Sequence, residues 1–209
     1  MKVLITGGLG FIGSNLAKKF LSVDGYEVTI VDNLDKGCGG NIFNISELKN
    51  NIENLNEDIT NLSFMKEIIK DKDLIINCAA ISSHSLSMQE PKKNTDVNVI
   101  GLLNILECMK SHKKNIKLIQ IGTTTQTGIH SDRHSTNEES IQNPIDVYSA
   151  NKVLAENLTK IYSSSYDLNI VNVRLSNVYG PRASIKSSKL TFNNYFIGQA
   201  LQKKPISRF

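Results

Sequence analysis

The sequence predicts an α/β fold, a Rossmann-type doubly wound parallel sheet, and three observations predict it. A short apolar run, Val3-Leu4-Ile5, leads through glycines at 7, 10 and 13 into a helical pattern carried by Phe11, Ile12, Leu16, Ala17, Phe20 and Leu21. Apolar strands then alternate with helical stretches along the chain, which implies right-handed crossovers and parallel pairing. The composition is that of an ordinary globular chain, 209 residues with 40% apolar and 21% charged side chains, enough for one α/β core.

The first element sets the rest. Strand, glycine turn and helix in that order form a site for a dinucleotide pyrophosphate. Gly7, Gly10 and Gly13 permit a tight turn and close backbone approach, and the helix opening at Phe11 and Ile12 offers N–H groups and a partial positive charge. The spacing GxxGxxG is one residue longer than the commonest fingerprint, and a ligand-free Gly-rich turn is the competing reading. Tyr26–Val31 reads as the second strand and ends at Asp32, nineteen residues after Gly13. A carboxylate there accepts from ribose hydroxyls and repels a 2′-phosphate, so NAD is expected over NADP; an Asp in an ordinary strand-end turn is the alternative.

Residues 33–44, beginning with Asn33, read as a polar, Gly-rich loop. Asn51–Asn56 is a weakly signalled third strand, followed by Asp58-Ile59-Thr60 where an adenine would lie. Residues 61–70 are helical, with Leu62, Met65, Ile68 and Ile69 on one face. Asp73–Asn77 is the fourth strand, and Cys78-Ala79-Ala80 are small enough for backbone to run beside the cofactor. Pro91 starts a helix to about His112 in which Asn98 is a polar interruption. Lys117–Ile121 is the fifth strand, followed by Gly122 and three threonines. A polar loop, 126–145, precedes a helix from about Asp146 to Tyr166, then a sixth strand over Ile170–Leu175 and a helix near 190–203. There is no internal repeat.

The formal net charge of +4, from 24 basic and 20 acidic residues, is spread along the chain, so nucleic-acid binding has little support. No apolar run approaches the ~20 residues of a membrane span. The first strand begins at Lys2, leaving no room for a signal peptide, and Cys38, Cys78 and Cys108 lack metal-ligand spacing. A cytoplasmic protein with reduced thiols and no metal is the expectation.

TGGLGFIG at 6–13, Asp32, Asp58-Ile59, NCAA at 77–80, Tyr148-Ser-Ala-Asn-Lys152 and RLSNVYGPR at 174–182 occur in this order. Together they resemble the extended short-chain dehydrogenase/reductases, specifically the NAD-dependent epimerase/dehydratase family acting on nucleotide sugars. The resemblance covers essentially the whole chain. It departs at Asn77, where His is common, and at Thr127-Gly128, where Tyr-Gly is usual.

The resemblance implies NAD as cofactor, held by Gly7, Gly10, Phe11, Ile12, Gly13, Asp32, Asn33, Asp58, Ile59, Cys78, Ala79, Ala80, Asn98, Tyr148 and Lys152, and a catalytic set of Thr123, Tyr148 and Lys152. Tyr148 and Lys152 are four apart on a predicted helix, hence on one face about 5–6 Å apart at Cβ. A free tyrosine has a pKa near ~10 and is a poor base at neutral pH. A nearby ammonium and the positive nicotinamide ring would favour the phenolate, and Lys152 would also reach the nicotinamide ribose. By itself a YxxxK pair is equally two solvated helix residues. Thr123 would bond the sugar oxygen, with Thr124 and Thr125 competing for the role. The positions matching Thr124 and Thr125 carry Asp or Glu in family dehydratases. Hydroxyls there argue for an epimerase, working at C4 by reversible hydride transfer, or a plain oxidoreductase, over a dehydratase.

Ser82, His84, Thr124, Thr125, Asn177 and Arg182 are the expected substrate contacts. His84 is as readily a polar loop residue, and Arg182, which could meet a diphosphate bidentately, a solvated one after Pro181. The implied ligand is a nucleotide-diphosphate sugar, and pairing of the 91–112 and 146–166 helices predicts a homodimer. Residues 1–180 form the NAD-binding domain and 181–209 the start of an incomplete substrate domain, the chain being expected to be a fragment or a degraded product. The other readings are a dehydratase or reductase of the same family, a non-catalytic NAD-binding remnant, and a Rossmann-like methyltransferase, which would give YxxxK no purpose.

Overall fold

The computed structural model describes residues 1–112, 115–129, 135–187 and 192–206. Six strands form one parallel sheet in the order β3-β2-β1-β4-β5-β6. They are β1 (Lys2–Thr6), β2 (Glu27–Val31), β3 (Glu53–Leu55), β4 (Leu74–Asn77), β5 (Lys117–Thr123) and β6 (Asn169–Leu175). The helices are α1 (Phe11–Leu21), α2 (Leu62–Ile69), α3 (His84–Gln89), α4 (Pro91–Thr95), α5 (Gly101–Ser111), α6 (Val147–Tyr166) and α7 (Phe192–Leu201). The residues expected to be helical near 190 lie partly outside the described residues. Among the described residues no helix is long and apolar enough to cross a membrane.

Alternation along the strands divides the core into two layers. Val3 and Ile5 join Leu9, Ala17, Ile30, Ile45, Leu48 and Ile76 on the α1 side. Leu4 and Ile75 join Met65, Ile69, Leu102, Ile105, Leu106, Leu118 and Ala155 under α2, α5 and α6. Strands buried on both faces read as continuous apolar runs, which is why β1 and β4 were legible.

In register, Thr6 lies beside Val31 and Asn77, and Asn77 beside Gln120. The carboxyl ends of β1, β2, β4 and β5 therefore share one edge, and the order reverses between β1 and β4, where open α/β sheets hold their ligands. A buried chain crosses that point. The Thr6 hydroxyl donates to Asn77 Oδ1 at 2.6 Å, and Asn77 Nδ2 donates to Gln120 Oε1 at 2.8 Å. Each polar group on this strip of sheet thus finds a partner without water.

Three departures from the sequence reading bear on the site. Residues Ile42–Leu48, half of them expected as loop, form a 3₁₀ turn that buries Ile45 and Leu48. Residues 84–89 form α3, whose Ser83 cap accepts from the Leu86 N–H at 3.3 Å. The expected single helix from Pro91 contains a π turn, Asp96–Ile100, between α4 and α5. There Asn98 Nδ2 points inward to the Ile81 carbonyl and to Asn94. Gly101 follows because a Cβ would meet Ile59 Cδ1 at 2.4 Å.

Candidate active site

The glycine turn explains itself atom by atom. Gly7 has φ +64°, and a Cβ on it would sit 2.8 Å from Ala79 N and the Cys78 carbonyl carbon, where β4 leaves the sheet. A Cβ on Gly13 would meet the Gly7 carbonyl oxygen at 2.4 Å, so this glycine lets α1 lie against the turn. Gly8, which the fingerprint does not single out, is needed as well, because a Cβ there would meet Ile30 Cβ at 2.4 Å. The first turn of α1 has no side-chain cap and no acidic residue, and Lys18 and Lys19 sit in its last turn. The N–H groups and positive end of the dipole are left for an anion.

A cleft of about 570 Å³, counting its solvent-open mouth, runs from this turn over the edge of the sheet. Its wall includes Gly7, Gly10, Asp32, Asn33, Asp58, Ile59, Cys78, Ala79 and Ala80, together with Asp35, Cys38, Gly39, Gly40, Glu57, Ile81 and Val97, which sequence reasoning missed. The Asp32 carboxylate accepts from the Leu9 N–H at 3.0 Å and the Leu34 N–H at 2.9 Å. Burial raises its pKa, the two N–H bonds working the other way. Asn33 Nδ2 donates to Asp58 Oδ2 at 2.7 Å, so the ends of β2 and β3 are tied together. The loop after β2 is anchored by Asp35, which pairs with Lys93 of α4 at 2.7 Å. The cleft thiols are not nucleophiles. Burial pushes Cys38 up to about 11, with Asp35 adding to it, and Cys78 up to about 12.

At the other end of the edge, Thr123 is the last residue of β5 and Tyr148 and Lys152 lie one turn apart on α6. The Thr123 side chain lies close enough to the Tyr148 hydroxyl to favour its ionised form, and Tyr148 is 8% exposed. Burial raises Tyr148 to about 12, the nearby Thr123 side chain opposing it. Lys152 Nζ donates to the Ile121 carbonyl at 2.9 Å and lies 5.9 Å from the Tyr148 ring centre. Burial lowers its pKa to about 8, the nearby Cys78 opposing this. In this structure the Lys152 ammonium rests on the Ile121 carbonyl, one turn along α6 from Tyr148. Cys78 joins the two ends, lining the cleft and lying close enough to Lys152 for their charges to interact.

Asp146 caps α6, its Oδ1 accepting from the Ser149 N–H at 2.7 Å, while its Oδ2 contacts His84 Nδ1 at 2.5 Å. Burial would raise the Asp146 pKa, but the Ser149 N–H and His84 outweigh it and hold the carboxyl low. His84 is half exposed and stands edge-on to Tyr148, ring centres 5.3 Å apart. Thr125 Oγ1 contacts the Thr123 and Ser149 hydroxyls, both at 3.1 Å, whereas Thr124, Ser82 and Asn177 are exposed.

Two of the expected contact residues are engaged elsewhere in the chain. Arg182 has its own partners within the chain: its Nε donates to the Asn44 carbonyl at 2.8 Å and its NH1 to Asn15 Oδ1 at 2.9 Å, so it staples the residues after β6 to α1. Asn98 is off the cleft wall, and its amide supports Ile81, which is on it. Phe11, Ile12 and Gly13 do not line the cleft either.

The sheet order and the cleft at the switch point define a Rossmann protein, a class whose members hold a dinucleotide there. The family model for GDP-mannose 4,6 dehydratase matches residues 4–206. The chain is 35% identical over 202 residues to dTDP-D-glucose 4,6-dehydratase of Dictyostelium discoideum, covering 87% of this chain and 44% of that one. Its fold matches UDP-glucose 4-epimerase of Thermotoga maritima, solved with UDP-glucose, with a TM-score of 0.91 at 28% identity, over 100% of this chain and 66% of that one. It also matches UDP-glucuronic acid 4-epimerase of Bacillus cereus, solved with UDP-glucuronic acid and NAD, with a TM-score of 0.87 at 28% identity and the same coverage. The chain belongs to the extended short-chain dehydrogenase/reductases, in the NAD-dependent nucleotide-sugar epimerase/dehydratase family. It spans between 44% and 66% of the length of these three relatives.

Proposed function

We propose that the protein is an NAD-dependent nucleotide-sugar 4-epimerase with Thr123, Tyr148 and Lys152 as its catalytic set. The observation that carries this reading is the hydroxyl pair of Thr123 and Tyr148, with Lys152 one turn away, beside a row of threonines that contains no carboxylate. The residues present fit the dinucleotide. Gly7 and Gly13 let the turn close tightly against the end of β4 and the start of α1, that uncapped helix start suits a pyrophosphate, and Asp32 lies at the end of β2 where a ribose belongs. When bound, NAD would supply the redox chemistry, taking hydride from the sugar carbon and returning it to the opposite face.

The chain's own residues handle the proton. Tyr148 Oη takes it from the sugar hydroxyl and gives it back. The Thr123 hydroxyl bonds the reacting oxygen and holds it against Tyr148. Lys152 would exchange the Ile121 carbonyl for a ribose hydroxyl and bring its charge to the phenolate. His84, steadied by Asp146, leaves Nε2 available to a sugar hydroxyl. Thr124 and Thr125 cannot readily serve as the acid and base that eliminate water, so the name of the matching family model does not decide the chemistry. Residues 181–209 would begin the unit that binds the nucleotide. Ile100, Leu154 and Ile161, exposed on the π turn and α6, suit a helix-paired dimer.

Incubating the chain with NAD and UDP- or dTDP-hexoses tests the reading: a 4-epimer is the expected product, and a 4-keto-6-deoxy sugar would make it a dehydratase. A binding prediction follows from the acidic cleft. With Asp32, Asp35 and Asp58 on its wall, a 2′-phosphate is repelled, so NAD(H) should bind at least about tenfold more tightly than NADP(H), or about 1.4 kcal/mol. Calorimetric titration of both cofactors decides this, and equal affinity would remove Asp32 from the ribose site.

A further inference from the structure

Glu156 and Arg174 are a buried ion pair with no part in the chemistry above. Glu156 is 6% exposed, and Arg174 of β6 meets it bidentately, Nε and NH2 each at 2.8 Å. Lys160 adds a third cationic contact at 2.6 Å. The fourth donor is the informative one. Gln126, fully buried, donates from Nε2 to Glu156 Oε2 at 2.8 Å and accepts at Oε1 from the Thr123 N–H at 3.0 Å. Thr123 and Gln126 form a capping box around the turn Thr124–Thr127. Gly122 completes the fit, since a Cβ there would lie 2.8 Å from Gln126 Oε1.

Tyr148, Lys152 and Glu156 follow each other at i, i+4 and i+8, so one face of α6 addresses the end of β5 at three successive heights. Tyr148 meets the Thr123 side chain, Lys152 takes the Ile121 carbonyl, and Glu156 reaches the Thr123 backbone through Gln126. We propose that Glu156, acting through Gln126, is a positioning residue that sets the distance between the Thr123 and Tyr148 hydroxyls. Arg174 keeps the carboxylate charged and aimed: it is the main reason Glu156 is held down to about 2. Without Gln126 the Thr123 N–H loses its partner at the strand end and the turn that presents the hydroxyl loosens. A misplacement near 1 Å at reacting groups costs on the order of 10²-fold in rate. The inference rests on the reading of Thr123 and Tyr148 as the proton-handling pair.

The test is Gln126→Leu, which keeps bulk and removes both bonds, measured in the 209-residue chain with NAD+ and UDP-glucose. The first readout is kinetic. A fall in kcat of about 10- to 100-fold, with KM and NAD affinity within about twofold of wild type, is expected. The second readout is the Tyr148 ring ¹³C resonance in tyrosine-labelled, NAD-saturated protein, assigned with Tyr148→Phe. Displacing the Thr123 side chain should raise the phenol pKa, a change that loss of stability elsewhere does not produce. Unchanged kcat with an unchanged titration, in a chain whose wild type turns over, overturns the inference and leaves the proposed function standing. A wild type without turnover overturns the proposed function, and the titration alone then decides the inference. If Gln126→Leu does not fold, Glu156→Gln, which keeps shape and one acceptor oxygen, is judged by the same two readouts.

Discussion

Tyr148→Phe should abolish turnover while NAD affinity stays within about twofold of wild type. The ring remains buried beside His84, so packing survives, and only the oxygen facing Thr123 is removed. General acid–base groups contribute about 10²–10⁴ in rate. Tyr148 is asked to hold a whole proton with no carboxylate on the threonine row to replace it, so the upper end is expected. Steady-state turnover together with calorimetric NAD binding separates the two roles. Wild-type turnover in the variant would assign the base elsewhere, and loss of NAD binding would make Tyr148 a structural residue of the cleft.

Gly13→Ala should cost both stability and the cofactor site. Its Cβ would be 2.4 Å from the Gly7 carbonyl oxygen and 2.8 Å from Gly8 Cα, backbone atoms that cannot rotate aside. Overpacking of this kind costs about 1–3 kcal/mol, and spreading the turn moves the N–H groups of α1 away from a pyrophosphate. A loss of NAD affinity on the order of 10²-fold is expected, by the same sensitivity to ångström displacements. Gly25 is the control: it has φ +87° with nothing near its would-be Cβ. Gly25→Ala should cost about 1–2 kcal/mol of backbone strain and leave NAD affinity alone. Denaturant unfolding and calorimetry on the two variants provide the comparison, and a Gly13→Ala protein that binds NAD normally would contradict the role given to the turn.

The contrast between what was and was not legible has a physical basis. Strands buried on both faces announce themselves by unbroken apolar runs, so β1 and β4 could be placed from sequence, while β3, three residues with Glu53 and Asn54 exposed, was faint. The 3₁₀ turn at Ile42–Leu48 and α3 were missed because each is short, with only one or two residues reaching the core. Spacing gave the cleft glycines and the Tyr148–Lys152 pair, since both depend on local geometry. It did not give the partners of Arg182 and Asn98, which are settled by whichever distant group the fold brings nearest. Asn44 and Asn15 claim Arg182, and Ile81 claims Asn98. Gln126 and Glu156 were invisible for the same reason. A glutamine in a polar loop and a glutamate on a helix look solvated until β6 delivers Arg174 beside them. One signal was available for Glu156, its i+8 spacing from Tyr148 on the face that carries Lys152.

The claim that the threonine row leaves the protein only proton and hydride exchange at one carbon is tested most directly by running the reaction in D₂O. With UDP-glucose and NAD+, the expected product is the 4-epimer with no carbon-bound deuterium, because the hydrogen removed from the sugar carbon is the one returned. Deuterium on a sugar carbon, read by mass spectrometry and NMR of the product, would show that a carbon-bound proton is exchanged with solvent, and would contradict the assignment of Thr123, Tyr148 and Lys152 as an epimerase set.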